Sequence, residues 1–561
     1  MGKTVSIGAQ SFEFLRKNNY FFIDKTGLIK EWWENGDVVT LITRPRRFGK
    51  TLNLDMMNCF FSKAYEGRGE LFEGLSIWKE EKYRELQGSY PVIFLSFADI
   101  KGETMEETKQ GLKHTLAKLY ETHEYLRDRK NIGKRELEFF DSVSPDMEDT
   151  VAVLALKYLS DYLEAYYGRK VLIFLDEYDT PLQEAYVYGY WKELTGFIRR
   201  MFNSTFKTNP SMERAIMTGI TRVSKESIFS DLNNLEVVTT TSEKYADCFG
   251  FTEKEVLEAL DEFSMSEEEE QVKQWYDGFT FGSKRDIYNP WSIINFLDKR
   301  KVGAYWANSS SNSLVNVLIR QGNAQTKTIM EDLMKGGVLE TELDEEIIFD
   351  QLQRKYGAVW SMLLTSGYLK VVDRRFSQET GVFTYHLELT NREVYMMFRN
   401  MIRDWFSGED VPYNGFIQAL LLGDVKAMNR YMNKVALATF SYFDTGRKPS
   451  EEAEPERFYH GFVLGLMVEL AGRYRVTSNR ESGFGRYDVM LEPYKEEDPA
   501  FVLEFKVHDP EDEDTLDDTV QEALKQIKDK NYDSELTARG IPEERIRHLG
   551  FAFEGKRVLI G

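Results

Sequence analysis

Short apolar runs alternate with long amphipathic stretches over the first 240 residues of the chain. The runs lie at residues 38–43, 92–97, 171–175 and 214–219, and each is continuous rather than alternating with polar positions. Strands that alternate with helices indicate a parallel sheet, and continuous apolar strands are typical of a sheet covered on both faces. The pattern therefore predicts an α/β domain built on a parallel sheet.

The pattern changes between about residue 241 and residue 410. Residues 251–263 and 267–275 predict acidic amphipathic helices, and Asn289-Pro290-Trp291 opens a further helix. Residues 358–389 predict a helix, a strand, a glycine-containing turn and a second strand, with the strands at 367–371 and 382–389. This order predicts a small helical or winged-helix-like lid. Residues 411–457 predict a helical connector that ends in a polar linker at 445–456.

A separate domain is expected to begin near residue 458. Its predicted elements are a helix at 458–471, strands at 474–478, 487–491 and 501–507, a turn at 479–486, and a closing helix from about 516 to 532. On the third strand Glu504 and Lys506 lie two residues apart and share a face, and Asp488 starts the neighbouring strand. Two carboxylates and a lysine are the minimum for metal-dependent hydrolysis of a phosphodiester. Alternating charges on the solvent face of a strand would give the same pattern.

Residues 44–51 read Arg-Pro-Arg-Arg-Phe-Gly-Lys-Thr and lie between a predicted strand and a predicted helix. The ending Gly49-Lys50-Thr51 is that of a phosphate-binding loop. In such a loop backbone N–H groups cradle the phosphates, the lysine reaches the β- and γ-oxygens, and the threonine hydroxyl binds Mg²⁺. The usual first glycine, six residues before the lysine, is Arg44 in this chain. A Gly-Lys-Thr tripeptide alone also arises by chance.

Two later strands also end in residues that suit a phosphate-binding site. The strand at 171–175 is followed by Asp176 and Glu177, an acid pair that would hold Mg²⁺ and polarise the attacking water. The alternative is that both acids cap the next helix. A further strand ends at residues 217–222, where Arg222 would stabilise transferred charge or would be a solvated arginine after a glycine turn.

Composition and charge narrow the class of protein. The 561 residues are 42% hydrophobic and 14% aromatic, which is typical of a globular protein with several domains. The net charge of −21 disfavours coating of DNA by bulk electrostatics, because phosphate neutralisation requires Lys and Arg.

Cys59 and Cys248 are the two cysteines, which excludes a disulfide framework and thiolate zinc sites. No apolar run approaches the roughly 18 residues of a membrane span, and no secretion signal is evident. A cytoplasmic protein without a membrane partner is therefore expected.

Taken together, five motifs resemble the AAA-ATPase-like family of bacterial proteins, whose members commonly end in a PD-(D/E)xK nuclease-like domain. The motifs are Tyr20 to Thr26, Arg44 to Thr51, Leu175 to Asp179, Thr218 to Ile220 and Trp275 to Phe279. The resemblance covers nearly the whole chain and implies that the arginine-rich loop replaces the standard phosphate-binding loop. The nucleotide-binding residues are then predicted to be Arg46, Arg47, Phe48, Gly49, Lys50, Thr51, Asp176 and Arg222.

The carboxy-terminal pattern Gly485-Arg486-Tyr487-Asp488, followed after fifteen residues by Glu504-Phe505-Lys506, resembles the PD-(D/E)xK core. Tyr487 replaces the proline of the family motif. The resemblance offers Glu469 as an additional acid, although a solvent-facing helix glutamate fits that position as well. Gln526, in the closing helix, is a further match that the resemblance offers.

The prediction is an α/β protein with a P-loop NTPase sheet (1–240), a helical or winged-helix-like lid (241–410), a connector (411–457) and a nuclease-like domain (458–561). ATP and Mg²⁺ are the expected cofactors. The predicted catalytic residues are Glu177, Asp488, Glu504 and Lys506, and the predicted metal ligands are Thr51, Asp176, Asp488 and Glu504.

The main functional hypothesis is that the nucleotide state controls a Mg²⁺-dependent nuclease acting on DNA, with RNA left open as a substrate. Defence against foreign DNA is a hypothesis that rests on this architecture alone. The alternative is an ATP-switched protein-interaction platform with a non-catalytic nuclease fold, and homo-oligomer formation is also left open. The complete set of site residues favours the enzyme, whereas the net charge favours the platform.

Overall fold

The computed structural model consists of two compact units. The first contains Met1–Leu314 and Val338–Tyr395, and the second contains Val315–Gly337 and Met396–Gly561. The finer division at residues 240, 410 and 457 stays a prediction. The structure describes residues 3–128, 132–220, 228–229, 231–307, 324–343, 357–376, 381–405, 413–439, 473–482, 485–495, 497–510 and 513–561, with Val315, Leu318, Ile319, Gln378, Tyr459, Val463, Met467 and Leu470.

A five-stranded parallel sheet forms the centre of the amino-terminal region, which confirms the predicted α/β fold. Its strands are β1 (Val39–Thr43), β2 (Val92–Ser96), β3 (Val171–Asp176), β4 (Met212–Gly219) and β5 (Leu235–Val238), in the spatial order β2-β3-β4-β1-β5. Because β4 lies between β1 and β3, the carboxyl ends of these three strands form one continuous edge. Ligands of open parallel sheets bind at that edge.

The helices of this region pack an aromatic core against the sheet. They are α1 (Phe12–Lys17), α2 (Gly27–Asn35), α3 (Lys50–Phe61), α4 (Glu81–Arg84), α5 (Met105–Thr122), α6 (Lys134–Ser142), α7 (Asp149–Tyr167), α8 (Thr180–Tyr188) and α9 (Trp191–Phe202). Trp32 of α2, Phe61 of α3 and Phe174 of β3 are fully buried and make edge-to-face contacts. These contacts fix α3, and with it the loop that precedes it, against the sheet.

Two small antiparallel sheets follow. The first has the order β6-β8-β7 and accompanies three helices: β6 (Phe251–Thr252), α10 (Glu253–Glu262), α11 (Glu269–Tyr276), β7 (Phe279–Phe281), β8 (Lys284–Tyr288) and α12 (Pro290–Lys299). After α13 (Ala324–Met334), which belongs to the second unit, come β9 (Leu339–Glu342), α14 (Ala358–Thr365), β10 (Leu369–Phe376) and β11 (Phe383–Leu389), with the strand order β10-β11-β9. The helix followed by two antiparallel strands has the predicted order of elements, and the winged-helix-like lid stays a prediction.

The carboxy-terminal sheet is mixed. Its elements, after α15 (Arg392–Trp405), α16 (Tyr413–Leu422) and α17 (Val425–Thr439), are β12 (Tyr474–Ser482), β13 (Gly485–Pro493), β14 (Ala500–Val507), α18 (Leu516–Asp529), α19 (Ser534–Ala538), β15 (Ile546–Glu554) and β16 (Arg557–Ile560). The strands follow the order β12 to β16, and β14 and β15 are the parallel pair. One face of β14 packs in the core that contains α17, and the other packs against α18.

The predicted turn at residues 479–486 is too long. Strand β12 continues to Ser482 and β13 starts at Gly485, and Glu481 pairs with Arg486 across the two strands. Because β12 is the edge strand of the sheet, polar residues extend it without having to be buried, so their polarity does not indicate a turn. Within the predicted helix 458–471 the described residues Tyr459, Val463, Met467 and Leu470 are buried, and the rest lies outside the described residues.

Candidate functional site

The loop between β1 and α3 brings a lysine into the interior of the amino-terminal region. Gly49 precedes α3 with a φ of 79°, a left-handed conformation that favours glycine. Lys50 is 5% exposed, and its ammonium donates hydrogen bonds to the carbonyl oxygens of Arg44 (2.9 Å) and Pro45 (2.8 Å). Burial lowers the pKa of Lys50, while the nearby carboxylates, Glu177 first among them, act in the opposite direction. The lysine therefore lies among acids at the carboxyl edge of the sheet.

Asp176, at the end of β3, is hydrogen-bonded both to the residue that follows the loop glycine and lysine and to β4. Its carboxylate accepts a hydrogen bond from the Thr51 hydroxyl (2.7 Å) on one oxygen and from the Thr218 hydroxyl (2.6 Å) on the other. The aspartate is 1% exposed. A hydroxyl and a carboxylate oxygen in contact are ligands that suit Mg²⁺, so the residues present fit the predicted ion. Asp176 does not cap the following helix, because both of its oxygens are directed to these hydroxyls.

Glu177 has a strained backbone, with a φ of 49°. Its carboxylate accepts a hydrogen bond from the hydroxyl of Thr180 (3.1 Å), the first residue of α8. The Glu177 carbonyl oxygen also accepts a hydrogen bond from the Thr180 backbone N–H (3.2 Å), so Glu177 binds the first turn of α8, whose N-cap residue is Asp179. Strained residues persist where the surrounding structure enforces them, often at functional sites. The role of Glu177 as the base that activates water stays a prediction.

Asp179, three residues after β3, packs against Gly219 at the end of β4. The Asp179 carboxylate accepts hydrogen bonds from the Ile220 backbone N–H (3.0 Å) and the Gln183 side-chain amide (2.8 Å). A Cβ atom at Gly219 would lie 2.6 Å from a ring carbon of Tyr178 and 2.7 Å from a carboxylate oxygen of Asp179. Glycine is therefore required at this position by the space available.

The Arg44 side chain, at the position of the usual first glycine, binds backbone carbonyl oxygens. It is fully buried, and it donates hydrogen bonds to the carbonyl oxygens of Thr43 (3.1 Å) and Thr239 (2.5 Å), with longer ones to Lys244 and Tyr245 (3.4 Å each). Burial lowers the pKa of Arg44 to about 10, so the side chain stays protonated at neutral pH. Arg44 therefore anchors the start of the loop to the segment that follows β5.

The remaining loop residues have different environments. Arg46 donates to the side-chain oxygen of Gln183 (3.1 Å). Arg47 is exposed, has a φ of 64°, and stacks over Trp291 at 4.5 Å. Phe48 is 1% exposed and packs edge-to-face on Phe279 and Phe281. The Phe48 side chain is therefore a packing group, and its backbone N–H is the part that a phosphate could reach.

In the second unit, Asp488, Glu504 and Lys506 share one face of neighbouring strands. Val489 pairs with Leu503, so Asp488 lies one residue beyond this pair, beside Glu504. The Asp488 carboxylate accepts a hydrogen bond from the backbone N–H of Phe505 (2.8 Å). This places the carboxylate between the Glu504 and Lys506 positions, as the sequence predicts.

Helix α18 covers this face of the strands. The Gln526 amide donates a hydrogen bond to Glu504, which is 3% exposed, and another to the Tyr532 hydroxyl (3.3 Å). Burial raises the pKa of Tyr532, and the Glu504 and Asp488 carboxylates add to the effect, which places both acids near the phenol. Two carboxylates on adjacent strands fit a shared divalent ion, and Lys506 would not coordinate it.

Comparison with known proteins assigns both regions. Residues 6–229 match a family model described as "Predicted AAA-ATPase", and residues 454–561 match one described as "PD-(D/E)XK nuclease superfamily". The chain carries both domains. An AAA-ATPase-like domain and a nuclease-like domain together support a nucleotide-binding protein with nuclease-type enzymatic potential, and domains of these types generally use a nucleotide and a divalent metal.

The chain is also similar along nearly its full length to a protein of Azotobacter chroococcum mcd 1 described as "Uncharacterized protein in vnfD 5'region". The two are 24% identical over 559 residues, which cover 98% of this chain and 96% of that protein. Among the described residues, no helix is both long enough and apolar enough to cross a membrane.

Sequence reasoning missed several residues at the two sites. In the AAA-ATPase-like domain it missed Gln183, whose spacing of four from Asp179 places both on one side of α8. In the nuclease-like domain it missed Tyr532, which carries no motif signal of its own. The predicted residues Arg222 and Glu469 lie outside the described residues. Gln526 contacts Glu504 directly.

Proposed function

We propose that this chain is an ATPase whose nucleotide state controls a Mg²⁺-dependent nuclease. The observation that carries the nucleotide half is the contact of Thr51 and Thr218 with the two oxygens of Asp176, beside the buried Lys50. This arrangement joins the loop, the β3 end and the β4 end at one edge of the sheet. A change in the bound phosphates, such as loss of the γ-phosphate, would therefore act on all three elements.

For ATP hydrolysis, Lys50 would release its two loop carbonyls and neutralise phosphate oxygens. Thr51 and Asp176 would hold Mg²⁺, which supplies charge stabilisation for the transferred phosphoryl group. The attacking water would give a proton to Glu177 while its oxygen bonds to the γ-phosphorus. The bond from the γ-phosphorus to the bridging oxygen would break, and ADP and inorganic phosphate would result, so no further reactant is required.

For phosphodiester hydrolysis, Asp488 and Glu504 would hold a divalent ion, which supplies Lewis-acid stabilisation. Lys506 would orient the attacking water or stabilise the charge that develops on the phosphate. Water adds to phosphorus, the ester oxygen leaves with a proton, and a phosphate monoester and a hydroxyl result. Because the chain carries a net charge of −21, we expect nucleic-acid contact to be local and bridged by metal.

The test is incubation of the full chain with labelled single- and double-stranded DNA and RNA, with Mg²⁺ or Mn²⁺, and with ATP, ADP or no nucleotide. We expect metal-dependent cleavage whose rate differs between nucleotide states and is lost in Lys506→Ala. The matched control is Lys528→Ala, an exposed lysine near the end of α18, which should cleave as the wild type does. ATP binding without cleavage of any substrate would contradict the nuclease proposal and would favour the interaction platform.

A further inference from the structure

Arg46 is held at both of its ends. Its guanidinium donates to Gln183 (3.1 Å), and its backbone carbonyl accepts hydrogen bonds from the Trp306 indole (3.0 Å) and the Asn289 amide (3.4 Å). The Trp306 backbone N–H in turn donates to the buried Glu393 (2.6 Å). An arginine in a phosphate-binding loop would lose much conformational entropy in adopting one position. These contacts fix both the backbone and the side chain of Arg46 in advance.

Gln183 connects Arg46 to the end of β3. Its amide nitrogen donates to Asp179 (2.8 Å), and its amide oxygen accepts from Arg46. Asp179 is held by the Ile220 backbone N–H and is 1% exposed, and Gln183 is 8% exposed. The carboxylate on one side and the guanidinium on the other determine which end of the amide faces which partner. A glutamine is suited to this position because it both donates and accepts.

The ammonium of Lys50 donates a hydrogen bond to the carbonyl oxygen of Pro45 (2.8 Å), the residue that precedes Arg46 in the loop. The loop therefore carries two cationic side chains, those of Arg46 and Lys50. Lys50 reaches the β- and γ-phosphates in loops of this type, so a terminal phosphate is the anion that both cations can share.

We propose that Gln183 is a positioning residue that directs Arg46 at the γ-phosphate and thereby sets the preference of the site for a nucleoside triphosphate over a diphosphate. This inference rests on the proposed ATP site and deepens it. Arg46 would contribute a charge-assisted hydrogen bond that ADP cannot accept, and Gln183 would act only through Arg46.

The experiment measures affinity by calorimetry for ATPγS and for ADP, each with Mg²⁺, so that it does not depend on hydrolysis. The variants are Arg46→Ala, Gln183→Met and the double variant. Gln183→Met keeps the length of the side chain and removes both hydrogen bonds. The matched control is Gln87→Met, whose half-buried amide donates to the Tyr65 carbonyl (2.6 Å) away from the predicted site. Thermal unfolding of each variant establishes that it is folded.

We expect Arg46→Ala and Gln183→Met each to lower the ratio of ADP to ATPγS dissociation constants by about tenfold, the lower range for loss of a hydrogen bond to a charged group. The double variant should match Arg46→Ala, and Gln87→Met should match the wild type. A wild-type ratio in Gln183→Met overturns the inference while ATP binding stands. A further loss in the double variant also overturns it, because Gln183 would then act through Asp179. A wild-type chain that binds neither nucleotide overturns both the inference and the proposed function.

Discussion

Replacing Arg44 by glycine would give the loop the usual spacing of a phosphate-binding loop, with glycine six residues before Lys50. A reading of the motif alone would expect this change to improve nucleotide binding. The structure leads to the opposite expectation. The Arg44 side chain is fully buried, so Arg44→Gly would remove an anchor and leave the carbonyls that it binds without this donor.

The expected loss of stability in Arg44→Gly follows from the contacts of the Arg44 side chain. The two shorter hydrogen bonds, to Thr239 (2.5 Å) and Thr43 (3.1 Å), would each contribute about 1.5–3 kcal/mol as bonds from a charged donor. The guanidinium also lies over the Phe281 ring at 4.5 Å. The cost of desolvating the buried charge offsets part of this stabilisation. The cavity left by the side chain and the added backbone freedom of glycine both increase the loss of stability. We expect the free energy of unfolding to fall by about 3 kcal/mol.

The assay is urea unfolding followed by circular dichroism, with ATP affinity measured by calorimetry. We expect a lower unfolding midpoint and weaker ATP binding in Arg44→Gly. The control for stability is Arg47→Gly, because Arg47 is exposed and has a φ of 64°. ATP affinity is compared with the wild type alone, since Arg47 is itself a predicted nucleotide-binding residue. The relief of its backbone strain roughly balances the lost stacking on Trp291, each about 0.5–1 kcal/mol. An Arg44→Gly variant with wild-type stability and ATP affinity would refute the reasoning.

The remaining predictions concern the chemical groups themselves. Lys50→Ala should abolish ATP binding in calorimetry, because no other loop ammonium neutralises the β- and γ-oxygens; unchanged affinity would contradict the loop assignment. Glu177→Gln should retain ATP binding and lose steady-state ATPase activity, because the amide keeps the shape without the base. Asp488→Ala and Glu504→Ala should each abolish metal-dependent cleavage and weaken Mn²⁺ binding, because each removes a ligand. Lys506→Ala should abolish cleavage while Mn²⁺ affinity persists, and a parallel loss of affinity would show that the lysine acts on the metal site.

The parallel sheet was predictable because its strands are buried on both faces. The runs at 38–43 and 171–175 coincide with β1 and β3 to within one residue at each end, since a covered strand needs apolar side chains at every position. The extension of β12 to Ser482 and the start of β13 at Gly485 were not predictable from the same rule. At an edge strand the backbone pairs on one side only, so a polar stretch is compatible with either a strand or a turn.

The chemical groups of the two sites were also recognisable from the sequence. Glu504 and Lys506 had to share a face because they are two residues apart on a strand, and the structure places Asp488 beside them. The contact of Asp176 with both Thr51 and Thr218 depends on the strand order, and the sequence does not contain that order in any local pattern. The pairing of β4 with both β3 and β1 brings these residues together.

The residues that position the site residues through hydrogen bonds are harder to recognise from the sequence, for a physical reason. A reacting group must be of one chemical type, and it often follows a strand end or a glycine at a fixed spacing, so its local sequence identifies it. A holding group needs only to offer a donor or an acceptor at the right place, and its partner is often distant along the chain. Gln183 lies 137 residues from Arg46, and the Thr239 carbonyl lies 195 residues from Arg44. Their substitution should therefore change affinity, specificity and stability without removing any group that the motif contains, which is the behaviour that the Gln183→Met and Arg44→Gly variants test.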